Sequence, residues 1–103
     1  MTTNPTDQVI VRSRDAGAFF GRLVLRDDHD QTVTLTETRR LWYWDGAATL
    51  SELATEGTAK PRSCKFPAQT EGEHVILGVC EIVPVTERAA ASINGVPPWS
   101  EAK

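Results

Sequence analysis

The sequence predicts a small α+β fold: a mostly antiparallel β-sheet with one or two short helices, in a single domain. Three observations predict it. The segments QVIVRSR, AFFGRLVLR and TVTLTE are β-branched or alternately apolar and follow one another with short polar breaks, the pattern of neighbouring antiparallel strands. Two stretches, Thr49 to Gly57 and Thr86 to Gly95, carry helix start and stop signals. The chain has 103 residues, 40% hydrophobic and 24% charged, which supports one core and leaves no length for a second.

Taken in order, residues 1–8 read as a flexible polar tail carrying Pro5, residues 9–96 as the domain, and residues 97–103 as a C-terminal tail stiffened by Pro97 and Pro98. Strand structure begins at QVIVRSR. After Ala16-Gly17, Phe19, Gly21, Leu23 and Leu25 alternate with Phe20, Arg22, Val24 and Arg26, so the two sets face opposite sides of a half-buried strand. DDHDQ is a polar turn, and TVTLTE completes a hairpin with Val33 and Leu35 inward.

RRLWYWD reads as a further strand on its aromatic content. Period 2 places Arg39, Leu41 and Tyr43 on one face and Arg40, Trp42 and Trp44 on the other. Thr49-Leu50-Ser51-Glu52 has capping-box spacing, Leu50, Leu53 and Ala54 form an apolar stripe, and Gly57 supplies the stop. KPRSCKFPAQ is extended and bounded by prolines. HVILGVCEIVPV is the most apolar run and reads as a strand covered on both faces, interrupted or bulged near Gly78. TERAAASI opens a short helix at Thr86 or Glu87 that ends at Asn94-Gly95.

Charge is unevenly placed. Residues 39–65 hold five basic groups, Arg39, Arg40, Lys60, Arg62 and Lys65, against three acidic ones, while the rest of the chain holds six against eleven. A protein of net charge −3 and pI near 5.3 is a poor general binder of nucleic acid, because such binding rests on neutralising many phosphates at once. A local basic cluster still suits a small anion. No apolar run reaches the roughly 20 residues of a membrane span, and the N-terminus lacks the pattern of a signal peptide. A cytosolic location is therefore expected. Cys64 and Cys80 form no CxxC pair and are expected as free, packed thiols.

Catalytic patterns are sparse. His29 falls in a turn and His74 at a strand start, both ordinary surface positions. Cys64, His74 and Cys80 include no closely spaced ligand pair, so neither a metal nor a cofactor is expected. Nucleophile elbows, P-loops and dinucleotide fingerprints are absent. Binding is the better reading: aromatic rings stack on bases, and arginine forks pair with phosphate oxygens. The competing expectation is that Trp42 and Trp44 fill the core beneath Leu50 and Leu53.

The block from Arg39 through Ala54, RRLWYWDGAATLSELA, is followed by Glu56-Gly57, Lys60-Pro61, Cys64-Lys65-Phe66, EIVPVTE from Glu81 to Glu87, and Val96-Pro97-Pro98-Trp99. In these residues the chain resembles a family of short proteins from tailed bacteriophages and prophages, over about Val9 to Trp99. The resemblance carries no established activity. It implies a setting, the cytoplasm of an infected bacterium. In that setting, unrelated small proteins form homo-oligomers that sequester nucleotide-derived immune signals such as cyclic ADP-ribose derivatives and cyclic nucleotides.

The leading expectation is accordingly a non-enzymatic anti-defence sponge for such a signal. Trp42 and Trp44 would stack the base, while Arg39, Arg40, Lys60, Arg62 and Lys65 would contact phosphates. The alternatives are an accessory protein that acts by protein contact, through the aromatic segment and the Pro-Pro-Trp tail, and an enzyme cleaving the signal with Glu52, Asp45 or His74.

Overall fold

A computed structural model describes residues 7–100. Five strands, β1 (Gln8–Ser13), β2 (Gly17–Asp27), β3 (Thr32–Arg40), β4 (His74–Ile76) and β5 (Val79–Pro84), form one antiparallel sheet in the order β4-β3-β2-β1-β5. Two helices, α1 (Leu50–Glu56) and α2 (Glu87–Asn94), complete the α+β domain. The first six positions of the expected N-terminal tail, and residues 101–103 of the C-terminal one, lie outside the described residues.

Both faces of the sheet are apolar, which is why Phe19 and Phe20 are both fully buried. Val9, Val11, Phe19, Val33, Leu35, Ile76 and Val79 pack on one face. Ile10, Phe20 and Val85 pack on the other, under Leu53, Ala54, Ala89, Ala90 and Ile93 of the helices. Alternation along β1 and β2 sends neighbouring residues to opposite cores.

Two irregularities override that alternation. The β2–β3 register shifts between Leu23 and Leu25, so Leu23 meets Leu35 in the core while Leu25 lies opposite Thr34 and is 65% exposed. Leu25 was expected to share the face of Leu23, and one extra residue reverses it. The second shift faces Glu37, whose φ of 52° is left-handed. Gly21 lies against it, where a Cβ would sit 3.0 Å from the Thr36 carbonyl oxygen. Uninterrupted period 2 would carry Arg39 to the face of Val33 and Leu35. The bulge instead sends Arg39 under the helices and Arg40 onto Phe19.

The run HVILGVCEIVPV makes two strands, not one strand covered on both faces. β4 and β5 lie at opposite ends of the strand order yet are joined by Leu77 and Gly78 alone. Three Cα steps reach about 11 Å at most, whereas the edges of a flat five-stranded sheet stand about 19 Å apart. The sheet therefore curls until its edges meet. The meeting is stitched by Arg14 N–H to Gly78 O, Val79 N–H to Gln31 O and Ser13 Oγ–H to Leu77 O. Gly78, at φ 66°, makes the turn that β-branched neighbours could not. Val75 and Leu77, expected to be covered, are 58% and 65% exposed on this rim.

The helices follow their signals. Thr49 Oγ1 accepts from the Glu52 amide, Glu52 Oε1 accepts from the Ala48 amide, and Gly57 ends α1 at φ 81°. Thr86 Oγ1 accepts from the Ala89 amide to cap α2, which ends at Gly95. Pro97 to Trp99, expected as tail, run beside the domain: Pro98 bridges Phe66, and the Trp99 amide donates to Phe66 O.

Candidate functional site

β3 stops at Arg40, and with it the strand periodicity expected for RRLWYWD. Leu41 is anchored by its amide to Ala18 O and is buried. Tyr43 and Lys65 then exchange both backbone hydrogen bonds, at 3.3 and 2.7 Å, in an isolated antiparallel bridge. Such a pair directs its side chains to one side with Cβ atoms about 5 Å apart. Trp42, between two pinned residues, is 64% exposed, and Tyr43 is 50% exposed. Trp44 turns back, half-buried against the helix-side core.

The seven residues expected to bind together are thus divided. Arg39 is 4% exposed and belongs to the interior. Its Nε donates to Pro67 O at 2.9 Å, Nη1 to Ile93 O at 2.9 Å and Nη2 to Phe66 O at 2.6 Å, and the guanidinium lies over the Phe66 ring. It is a staple between β3, the 66–67 segment and the C-terminal end of α2, whose carbonyls carry the negative end of the helix dipole. Burial pulls its pKa below the ordinary arginine value. With three of its N–H groups donating to carbonyls and its side chain buried, Arg39 is not presented to an outside phosphate. Trp44 is likewise committed to packing.

Arg40 sits on the other face of the sheet, stacked 4.6 Å from the Phe19 ring centroid, and its Nη1 donates to Ala16 O. The same-face platform of Arg40, Trp42 and Trp44 does not form, because it required a strand running to Trp44 and β3 ends at Arg40.

What the chain does bring together is a ledge. Lys65 Nζ lies 5.4 Å from the Trp99 ring centroid, on the segment paired with Tyr43. Arg62, on a 3-10 turn at Pro61–Ser63, lines a recess of about 230 Å³ with Pro61, Cys64, Pro97, Pro98 and Trp99. Lys60 is exposed at the start of that turn. The 41–49 and 57–66 segments are held together beneath the ledge: Thr58 Oγ1 donates to Asp45 O at 2.5 Å, and the Asp45 amide lies 3.5 Å from Cys64 Sγ. Gly46, at φ 85°, allows the approach, since a Cβ there would lie 2.6 Å from the Lys60 amide nitrogen.

No acidic side chain among the described residues pairs with Lys60, Arg62 or Lys65. The ledge therefore presents these cations beside Trp99 and the exposed Tyr43, with the exposed Trp42 next to Tyr43 in the chain. Tyr43 and Trp99 were missing from the expected set. Trp99 had a signal, a tryptophan stiffened by two prolines that must cover something; Tyr43 had none, because strand periodicity set it on the face opposite Trp42 and Trp44.

The candidate acids and bases are each engaged separately. Asp45 Oδ1 caps the Gly46 amide, Glu52 caps α1, and His74 lies edge-on to Phe19 at 5.2 Å. Cys64 is buried, whereas Cys80, expected to be packed, is exposed with its thiol directed to Arg12 O. Among the described residues, no three His, Cys, Asp or Glu side chains converge as a metal site, and no helix is long and apolar enough to cross a membrane. Neither any curated protein nor any solved structure matches the chain. Its family assignment rests instead on a profile that matches residues 6–93, from the edge of β1 through α2, and the chain belongs to the family described as a domain of unknown function (DUF6948).

Proposed function

We propose that this protein is a binding module that captures an anionic, ring-bearing small molecule of the nucleotide class on the ledge formed by Trp42, Tyr43, Arg62, Lys65 and Trp99. The observation that carries this reading is the exposure of Trp42 and Tyr43, the latter paired with Lys65, on a ledge whose cations no acid among the described residues neutralises. Exposed rings supply stacking, and unpaired Lys and Arg supply phosphate contacts. The recess, at about 230 Å³, is below the usual range for an enclosed ligand pocket. A nucleotide would lie along the ledge with only part of itself in the recess, and a second copy of the chain in a homo-oligomer would close the site over it.

In the phage setting that the sequence resembles, the ligand class is a nucleotide-derived immune signal of the infected host, and the function is sequestration without turnover. A second reading is favoured by the openness of the ledge. Trp42 at 64% exposure, flanked by other aromatic and apolar side chains, also suits the centre of a protein–protein contact.

Calorimetry and thermal shift with cyclic ADP-ribose isomers, ADP-ribose conjugates and cyclic dinucleotides test the proposal. The expected result is saturable stabilisation, recovery of the ligand intact, and a loss of about 1–3 kcal/mol of binding in Trp42→Ala. Because Trp42 and Lys65 are exposed, Trp42→Ala and Lys65→Ala should leave folding stability within about 0.5 kcal/mol of the parent. An unmoved melting curve across the panel would favour the protein-contact reading, and altered ligand would make the protein an enzyme.

A further inference from the structure

Where β5 leaves the Val79–Gln31 contact, a groove opens between it and the β2–β3 hairpin. β5 is the last strand in the sheet order, so its outer edge pairs with no strand among the described residues. Two lobes of about 250 and 310 Å³ make up the groove, and they adjoin, since Arg26 and Ile82 line both. Its floor is the core inside the curl coming to the surface. Val33 and Val79 line the first lobe and Val9 the second, and Leu23 and Ile82 lie half-buried against that cluster. A mostly apolar hollow in the mouth of a barrel-like sheet, edged by a few polar groups, is a form that small-molecule sites take.

Charge decides which molecule the groove suits. Five charged side chains line it: Asp7, Arg26, Asp27, Asp28 and Glu81. Arg26 is spent on Asp28, with Nε to Oδ1 at 2.9 Å and Nη2 to Oδ2 at 3.2 Å, and Glu81 pairs with Arg12 at 2.9 Å. Asp27 in the first lobe and Asp7 in the second have no cationic partner among the described residues. Each lobe therefore joins an apolar floor to one uncompensated carboxylate. We propose that this groove binds a small aliphatic amine, with its hydrocarbon body on Leu23 and Ile82 and its ammonium against Asp27 or Asp7. The carboxylate offers the ammonium a charge-assisted hydrogen bond, while the methylenes lie on apolar surface as a lysine stem does. A neutral ligand gains only the second contribution, and an anion meets like charge. The ledge selects the opposite charge, so this proposal stands or falls independently of it.

Hexylamine, hexanol and hexanoate share one hexyl body and differ in head charge, so methyl NMR with the three at fixed ionic strength provides the test. The expected result is a saturable shift at the methyls of Leu23, Val79 and Ile82. Hexylamine should bind about threefold more tightly than hexanol, the size of one exposed ion pair, and hexanoate should bind least. Asp7 and Asp27 are both exposed, and an asparagine at 27 keeps the oxygen that accepts from the Asp30 amide. The double variant Asp7→Asn, Asp27→Asn should therefore fold as the parent does, bind hexanol unchanged and lose the preference for hexylamine. Hexylamine that binds no more tightly than hexanol overturns the proposal, as does hexanoate that matches it. So does a preference that survives the double variant, or the absence of any saturable shift at these methyls.

Discussion

Arg39 and Arg40 are adjacent, chemically identical and opposite in consequence. The single left-handed residue Glu37 decides which of them enters the core. Arg39 becomes structural: its charge is met by three carbonyl dipoles and, among the described residues, by no carboxylate. Arg39→Met should fill the volume yet strand those carbonyls, costing about 3 kcal/mol, read as a lower urea midpoint at unchanged m-value. His74 carries the pH dependence. Its pKa is lowered in the fold, so as pH falls through the unfolded value near 6.5 the unfolded chain binds a proton that the native chain refuses. Stability is therefore full above that pH and declines below it, levelling off only once the native imidazole protonates. Thermal melts from pH 7.5 downward, in buffers free of phosphate and carboxylate, should show a shallower decline for His74→Gln than for the parent. At this scale the sequence is a poor guide. Composition marks residues 39–65 as basic and aromatic, but the fate of each arginine depends on a bulge whose trace in the sequence is Gly21, on the neighbouring strand and sixteen residues before Glu37.

At the scale of elements the sequence is far more legible, because local chemistry decides. The Thr49 cap, the Gly57 stop and the Thr86 cap are all used as their spacing indicates. Thr49→Ala should cost about 1 kcal/mol. Gly57→Ala should cost more, since it strains a φ of 81° and drives a Cβ into Ser92 of α2. Denaturant titration of the two variants would rank them. The hairpin of β2 and β3 was also readable from the alternation around DDHDQ. The segment after Arg40 was not, because aromatic content imitates strand content: Trp42, Tyr43 and Trp44 lie in an irregular segment held by one bridge to Lys65. The apolar run from His74 to Val85 misleads for a related reason. Continuous hydrophobicity reports burial on both sides, and here it also labels two rims of a curled sheet.

For the whole molecule, the closing of that sheet sets what the surface can offer. Its helix-covered face is sealed by α1 and α2, and Arg88 on α2 meets Glu56 on α1 at 3.2 Å in an exposed pair that contributes little. The ledge lies outside this seal, on the segments that leave the sheet, and so sits on material added to a finished scaffold. Substitutions on the ledge can change binding without disturbing folding, and a core variant such as Arg39→Met changes the reverse.

The join at Leu77 and Gly78 also orders events in time. β1 is made first, but its second neighbour, β5, begins 66 residues later at Val79. Throughout synthesis β1 can pair only with β2, and one side of it waits. Closing so distant a contact is slow by the logic of loop entropy. Yet when the last strands emerge they come as one continuous stretch, so docking β4 beside β3 delivers β5 to β1 across two residues. The chain's most apolar stretch thus arrives after all the other strands and lands at both rims together, which shortens the interval in which an unpaired edge is open to other nascent chains.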